Sequence, residues 1–177
     1  VDKARSAVAV SLADLVRLSR IDSCSARPVP DAGVRASAAC TAELMRAAGL
    51  EKVEVLEIPG AHPYVVGERI VDPALPTLLL YAHHDVQPTG DPKRWTSPPF
   101  EPTRRGDRLY GRGVVDDKAG VMVHVAAIRA WLEGAGTLPV NVKFIVEGEE
   151  EIGSENLGRF LEKYRDRMMA DFIVLSD

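Results

Sequence analysis

No stretch of this 177-residue sequence is long or apolar enough to cross a bilayer, and its N-terminus lacks the basic-then-apolar order of a secretory signal. A soluble, cytoplasmic domain with no membrane partner is the expectation. Basic residues are neither gathered into a stripe nor set beside aromatics, and the net charge of -4 is mild, with both signs interspersed. Nucleic acid is therefore not an expected partner. Cysteine is scarce. Cys24 and Cys40, both in segments that read as helical, could pair, but two ordinary buried thiols of an intracellular protein are the expectation. Internal repeats and low-complexity tracts are absent. So are a Gly-x-Ser-x-Gly elbow and a Walker loop, which counts against a serine hydrolase and a nucleotide hydrolase.

What is present suits one domain with a real core, since 46% of the residues are hydrophobic. Apolar residues at helical spacing (Val8, Leu12, Leu15, Val16, Leu18) predict a helix from Lys3 to Ile21, and a second runs from about Val34 to Ala48 with Gly49 as its stop. The period then changes. Val53 to Ile58 is β-like and ends at Pro59-Gly60, and Tyr64 to Ile70 could pair with it. Leu78 to Tyr81 is a continuous apolar run, as expected of a strand buried on both faces. Val86 to Arg105 is expected to be a functional loop with no regular structure of its own. A short strand, Arg108 to Gly111, leads into the Gly111-Arg112-Gly113 turn and a helix from Lys118 to about Glu133. A strand from Val140 to Val146, a helix from Ser154 to Met168 and a last apolar strand, Phe172 to Leu175, complete the pattern. This alternation predicts a three-layer α/β/α fold with a mostly parallel mixed sheet. The sequence closes on Ser176-Asp177 at a strand tip, so the sheet is expected to be incomplete and the chain a fragment.

Polar clusters occupy the C-terminal tips of the strands, where open α/β sheets place their ligands. In Ala82-His83-His84-Asp85, side-chain alternation points His83 and Asp85 one way and His84 the other. That suits a metal-bound imidazole backed by a carboxylate. A polar strand end with a merely hydrogen-bonded histidine accounts for it equally. Asp116-Asp117 begins a helix, where the unpaired N–H groups and the dipole favour one acid, but two behind a glycine-flanked turn are harder to explain so. In Glu147-Gly148-Glu149-Glu150-Glu151, an acidic run at a strand tip would repel itself unless a cation were near. Such a run can supply a metal ligand and a general base; a solvated helix start is the bland alternative. Together one imidazole and several carboxylates describe an oxygen-rich site for divalent metal, with two ions needed to neutralise so many acids.

The blocks Tyr81-Ala82-His83-His84-Asp85-Val86-Gln87-Pro88, Trp95 with Pro99-Phe100, Leu109-Tyr110-Gly111-Arg112-Gly113, Asp116-Asp117-Lys118, Glu150-Glu151-x-Gly153-Ser154 and Ser176-Asp177 resemble the dinuclear zinc metallopeptidase family of carnosinases, aminoacylase and carboxypeptidase G. The order matches from about residue 77 onward, and the His-Asp-Val-Gln-Pro block and tryptophan loop look most like the dipeptidase branch. The resemblance implies two divalent metal ions, zinc before manganese or cobalt. His83 and Asp177 would bind one and Glu151 the other, with Asp116 bridging both. Asp85 would act on His83 from behind, and Glu150 would be the general base for attack of water on a dipeptide amide. The Asp116-Asp117 bond would be cis. His84 fills a variable slot and His124 is structural. Ala82 stands where the family usually has glycine.

The resemblance further implies that residues 1–177 are the first part of the catalytic domain. The lid and dimerisation domain, the last ligand histidine and the groups that grip the substrate carboxylate would lie outside this chain. The full-length protein would be a homodimer acting on small peptides, and this chain alone is expected to be inactive. An N-acyl-amino-acid deacylase or carboxypeptidase of the same family shares every block quoted. An inactive metal-binding fragment and a decayed enzyme used as an interaction module are the readings from other classes.

Overall fold

The computed structural model describes residues 8–177. Helix α1 (Val8–Ser19) falls within the first predicted helix; the part of that prediction before Val8 lies outside the described residues. Helix α2 (Ala32–Ala47) starts where Asp31 accepts the Val34 N–H at 2.9 Å, so one orphan donor of the first turn is satisfied. It stops before Gly49, whose φ of 97° places it in the left-handed region. Helix α3 (Lys118–Ala135) ends the same way, at Gly136 with φ 73°.

The main sheet contains β1 (Glu51–Leu56), β2 (Tyr64–Arg69), β3 (Thr77–His83), β6 (Asn141–Glu147) and β7 (Phe172–Leu175), in the order β1-β2-β6-β3-β7. β1, β2 and β6 are joined antiparallel, while β3 runs parallel to both β6 and β7. Side-chain alternation then sorts the core. Leu78, Leu80 and Ala82 of β3, with Val142, Phe144 and Val146 of β6, pack against α1, α2 and α3. Leu79 and Tyr81, with Ile145, face the other way onto helices α4 (Leu157–Lys163) and α5 (Arg165–Met168) through Phe160, Tyr164 and Met168. The three-layer α/β/α expectation holds. No described helix is long and apolar enough to cross a membrane.

Three details differ from expectation. The helix predicted over Ser154–Met168 begins at Leu157 and breaks at Tyr164, whose φ of -112° and ψ of 22° leave the helical region; no glycine or proline marks the break. The loop predicted over Val86–Arg105 carries a short 3₁₀ turn (Pro92–Arg94) and ends in strand β4 (Thr103–Arg105). β4 pairs with β5 (Arg108–Tyr110) across a Gly106-Asp107 turn, with Gly106 at φ 61°, the backbone that a two-residue hairpin requires. Cys24 sits not in a helix but on a parallel bridge to Val86; both cysteines are buried and unpaired.

β7 is an edge strand, bonded only to β3 among the described strands. Its faces are uncovered, with Phe172, Ile173 and Leu175 exposed by 61%, 63% and 65%.

Candidate metal centre

Parallel pairing of β6, β3 and β7 brings their C-terminal tips to one rim. His83 is opposite Glu147, and Tyr81 opposite Leu175, so Asp177 arrives beside His83. The His83 ring is fully buried, with Nδ1 3.3 Å from Asp85 Oδ1 and 3.2 Å from the Asp85 carbonyl oxygen. Its other nitrogen, Nε2, meets only acids: Asp116 Oδ1 at 3.1 Å, Asp177 Oδ1 at 3.6 Å and Glu150 Oε2 at 3.8 Å. One ligand atom from each of His83, Asp116 and Asp177 lies within 4.8 Å of the others. Such a donor set could hold a divalent cation, because an imidazole nitrogen with clustered carboxylates suits one and the carboxylates repel one another without a positive charge among them.

Asp85 serves two partners. Besides facing His83 Nδ1, its Oδ1 and Oδ2 accept the N–H groups of Glu150 (3.3 Å) and Glu151 (3.1 Å), tying the histidine to the 3₁₀ turn Glu150–Ile152. Burial would raise the Asp85 carboxyl, but the neighbouring His83 outweighs this and leaves it below the ordinary value. For His83, burial disfavours the charged ring, yet Asp85, with Asp117 and Glu150, lifts it to about 10. Partial burial pushes Glu150 upward against the pull of His83, and the charges of Asp177 and Glu151 add to that push. Glu151, expected among the converging ligands, lies outside the three-residue group. Its carboxylate is held instead by Gln87.

His84 points away, as alternation predicts. Its Nε2 is 3.0 Å from the Pro63 carbonyl, and complete burial lowers it to about 4, so the ring is neutral. His62 faces the Ser25 carbonyl at 3.0 Å, and His124 Nε2 lies 2.9 Å from Ser176 Oγ. Neither approaches the acids.

Four supporting residues escape a reading by sequence. The Asp116-Asp117 bond is cis, as the resemblance implies, but Asp117 does not cap α3 with its side chain. Asp117 Oδ2 instead accepts the His83 N–H at 3.1 Å, and burial raises this carboxyl to about 7 against that hydrogen bond. Lys118 is buried and donates through Nζ to the Leu18 and Ile21 carbonyls at 3.2 and 2.8 Å, closing the end of α1. Glu149 is buried and accepts from the His62 N–H, Tyr64 Oη and Asn156 Nδ2 at 2.8, 3.1 and 3.1 Å, fastening the root of the Glu150–Ile152 turn. Gln87 was legible only as part of a motif. An open cavity of about 730 Å³ runs from Trp95 and Arg112 to Asp116, placing the tryptophan loop beside the acids.

Comparison with known proteins follows the same residues. The model of peptidase family M20/M25/M40 matches residues 79–176. Beta-Ala-His dipeptidase of Homo sapiens is 40% identical over 117 residues, which cover 65% of this chain and 23% of the relative. The solved structure of human carnosine dipeptidase 1 superposes with a TM-score of 0.89 at 31% identity, covering 98% of this chain and 39% of that one. An M20-family metallo-carboxypeptidase from Sulfolobus solfataricus superposes with a TM-score of 0.85 at 36% identity, covering 93% and 36%. The matches thus cover between 23% and 39% of these three proteins, and the span matched by the family model runs from the apolar strand that carries His83 to the residue before Asp177. On that match, and on the fold shared with its solved relatives, the chain belongs to peptidase family M20/M25/M40.

Proposed function

We propose that the protein to which this chain belongs is a metal-dependent dipeptidase, with His83, Asp116, Asp177 and Glu151 as ligands of two divalent ions, zinc first, and Glu150 as general base. The observation that carries the proposal is the convergence of His83 Nε2 with Asp116 and Asp177 while Nδ1 faces Asp85. Nδ1 is engaged by Asp85 and Nε2 faces the acids, so an ion taken up there would replace the Nε2 proton while Asp85 keeps the ring oriented through the Nδ1 N–H. Bound metal would polarise the scissile carbonyl and ease deprotonation of water. The chain's own part is to place a base there. Glu150 Oε2 lies 3.8 Å from His83 Nε2, at the rim of the acid group. It takes one proton from the attacking water and returns it to the departing amine, so the amide is cleaved with no net proton change.

The similarity to human Beta-Ala-His dipeptidase supports dipeptides as the substrate class. The likeness to a metallo-carboxypeptidase supports a second reading, cleavage of longer peptides or N-acyl amino acids by the same centre. The buried, unpaired Cys24 and Cys40 support a reducing, cytoplasmic setting. A panel of dipeptides, longer peptides and N-acyl amino acids, given to the full-length protein with zinc, manganese or cobalt in turn, tests both readings. Dipeptide turnover abolished by chelation and restored by metal is expected. Faster cleavage of the other substrates selects the second reading, and no cleavage with any of the three metals rejects both.

A further inference from the structure

Gln87 makes three hydrogen bonds to a single residue. Its main-chain N–H donates to Glu151 Oε1 at 3.2 Å, and its side-chain Nε2 donates to Glu151 Oε2 at 2.7 Å and to the Glu151 carbonyl at 2.9 Å. Both carboxylate oxygens are thereby held by one neutral donor residue. The turn beneath is held as well, through the N–H groups of Glu150 and Glu151 on Asp85.

The arrangement fixes the Glu151 carboxylate in one orientation. A free glutamate on a short turn keeps considerable rotamer freedom, and fixing it costs side-chain entropy. An ionised carboxylate offers about four lone-pair positions, so two N–H bonds leave two for a cation. A neutral amide orients the group without cancelling its charge, as lysine or arginine would. Glu151 is not a member of the group formed by His83, Asp116 and Asp177, so a metal role for it would be at a different ion.

We propose that Gln87 is a positioning residue that presets Glu151 for the second metal ion, an inference that rests on the two-metal reading above. The two metal positions would then differ in origin. One is built on strand tips around a buried imidazole, and the other depends on a glutamate clamped from the loop after β3. Removing the clamp should weaken the second position and spare the first.

The test is a zinc titration of the full-length protein against a competing chromophoric chelator, with bound metal counted by mass spectrometry. Wild type, Gln87→Met, Glu151→Ala and the double variant are compared. Gln87→Met keeps the length of the side chain and removes its amide donor, leaving only the main-chain N–H on Glu151 Oε1. It is expected to weaken the second equivalent about 10–100-fold, the usual cost of losing a partner of a metal ligand, and to leave the first within about twofold. In the Glu151→Ala background the same change should do nothing further, because the partner is gone. A second equivalent unchanged in Gln87→Met, tightened by it, or weakened together with the first would overturn the proposal. A wild-type protein that binds one ion only would overturn the two-metal reading itself, an outcome recognisable before any variant is measured.

Discussion

At the scale of single residues, the acids on the rim divide by environment. Glu150 is partly exposed and faces His83 Nε2, whereas Glu147 is fully buried with Tyr81 Oη donating to it at 2.8 Å and its other oxygen unpartnered. Glu150→Gln should keep every proposed ligand and lower turnover about 10²–10⁴-fold, the range for loss of a general base. Metal content unchanged with near-normal rate would move that role elsewhere. For Glu147, burial pushes the carboxyl up to about 7 despite the Tyr81 hydrogen bond. The folded chain then binds this proton more tightly than the unfolded one, so the group's contribution falls as pH rises from its ordinary 4.5 through 7. Glu147→Gln should remove that slope and gain on the order of 2 kcal/mol relative to wild type between pH 5 and 8. Urea unfolding of both proteins at the two pH values measures the difference, and equal slopes would mean that Glu147 is already ionised when folded.

At the scale of elements, the site is made by the meeting of β3, β6 and β7 with the start of α3. Gly120 shows how close that meeting is. A Cβ there would lie 1.9 Å from Asp117 Oδ1 and 2.7 Å from Ser176 Oγ. Glycine to alanine within a helix usually stabilises by up to about 1 kcal/mol, but here the clash decides the sign. Gly120→Ala should destabilise by about 1–3 kcal/mol and lower metal content, since displacing Asp117 releases the His83 N–H it holds. Gly158→Ala in α4, where nothing lies within 4 Å, is the control and should be neutral or mildly stabilising. Equal thermal shifts in the two variants would show that the contact relaxes freely.

Much of this layout was legible because periodicity changes with each element. The run Leu78–Tyr81 announces a two-faced strand, and Gly49 marks the end of α2, whereas its start at the Asp31 cap went unread. The alternation that sends His83 and His84 apart comes from the same rule. What escaped is long-range. That Asp117 serves the His83 backbone, that Lys118 closes α1 from a hundred residues away and that Glu149 fastens the turn depend on contacts no local pattern encodes. β5 was expected as a short strand, but its partner β4 was hidden for another reason: a strand of three residues is too short to display a period, and Gly106-Asp107 looks the same in a hairpin as in a loop.

At the scale of the molecule, the polar rim and the bare edge strand point to one consequence. β7 carries the approach to Asp177, yet all four of its residues are exposed and its outer edge has no partner among the described strands. Long, flat apolar edges recruit other chains, because unpaired N–H and C=O groups and uncovered side chains are satisfied together by strand addition. The match to the human dipeptidase relative also covers only 23% of that protein, and among the described residues His83 alone of the imidazoles meets the acid group. Preset contacts to substrate and to the developing oxyanion supply much of an enzyme's rate enhancement, and they require groups fixed beforehand. The 177-residue chain expressed alone should therefore self-associate with rising concentration, bind divalent metal weakly and cleave dipeptides negligibly. Ile173→Lys, which places a charge on the uncovered face, should shift sedimentation towards monomer without restoring activity. A monodisperse wild-type chain would show that the edge is protected in solution, and robust dipeptide turnover by that chain would show that the centre completes itself from the residues described here.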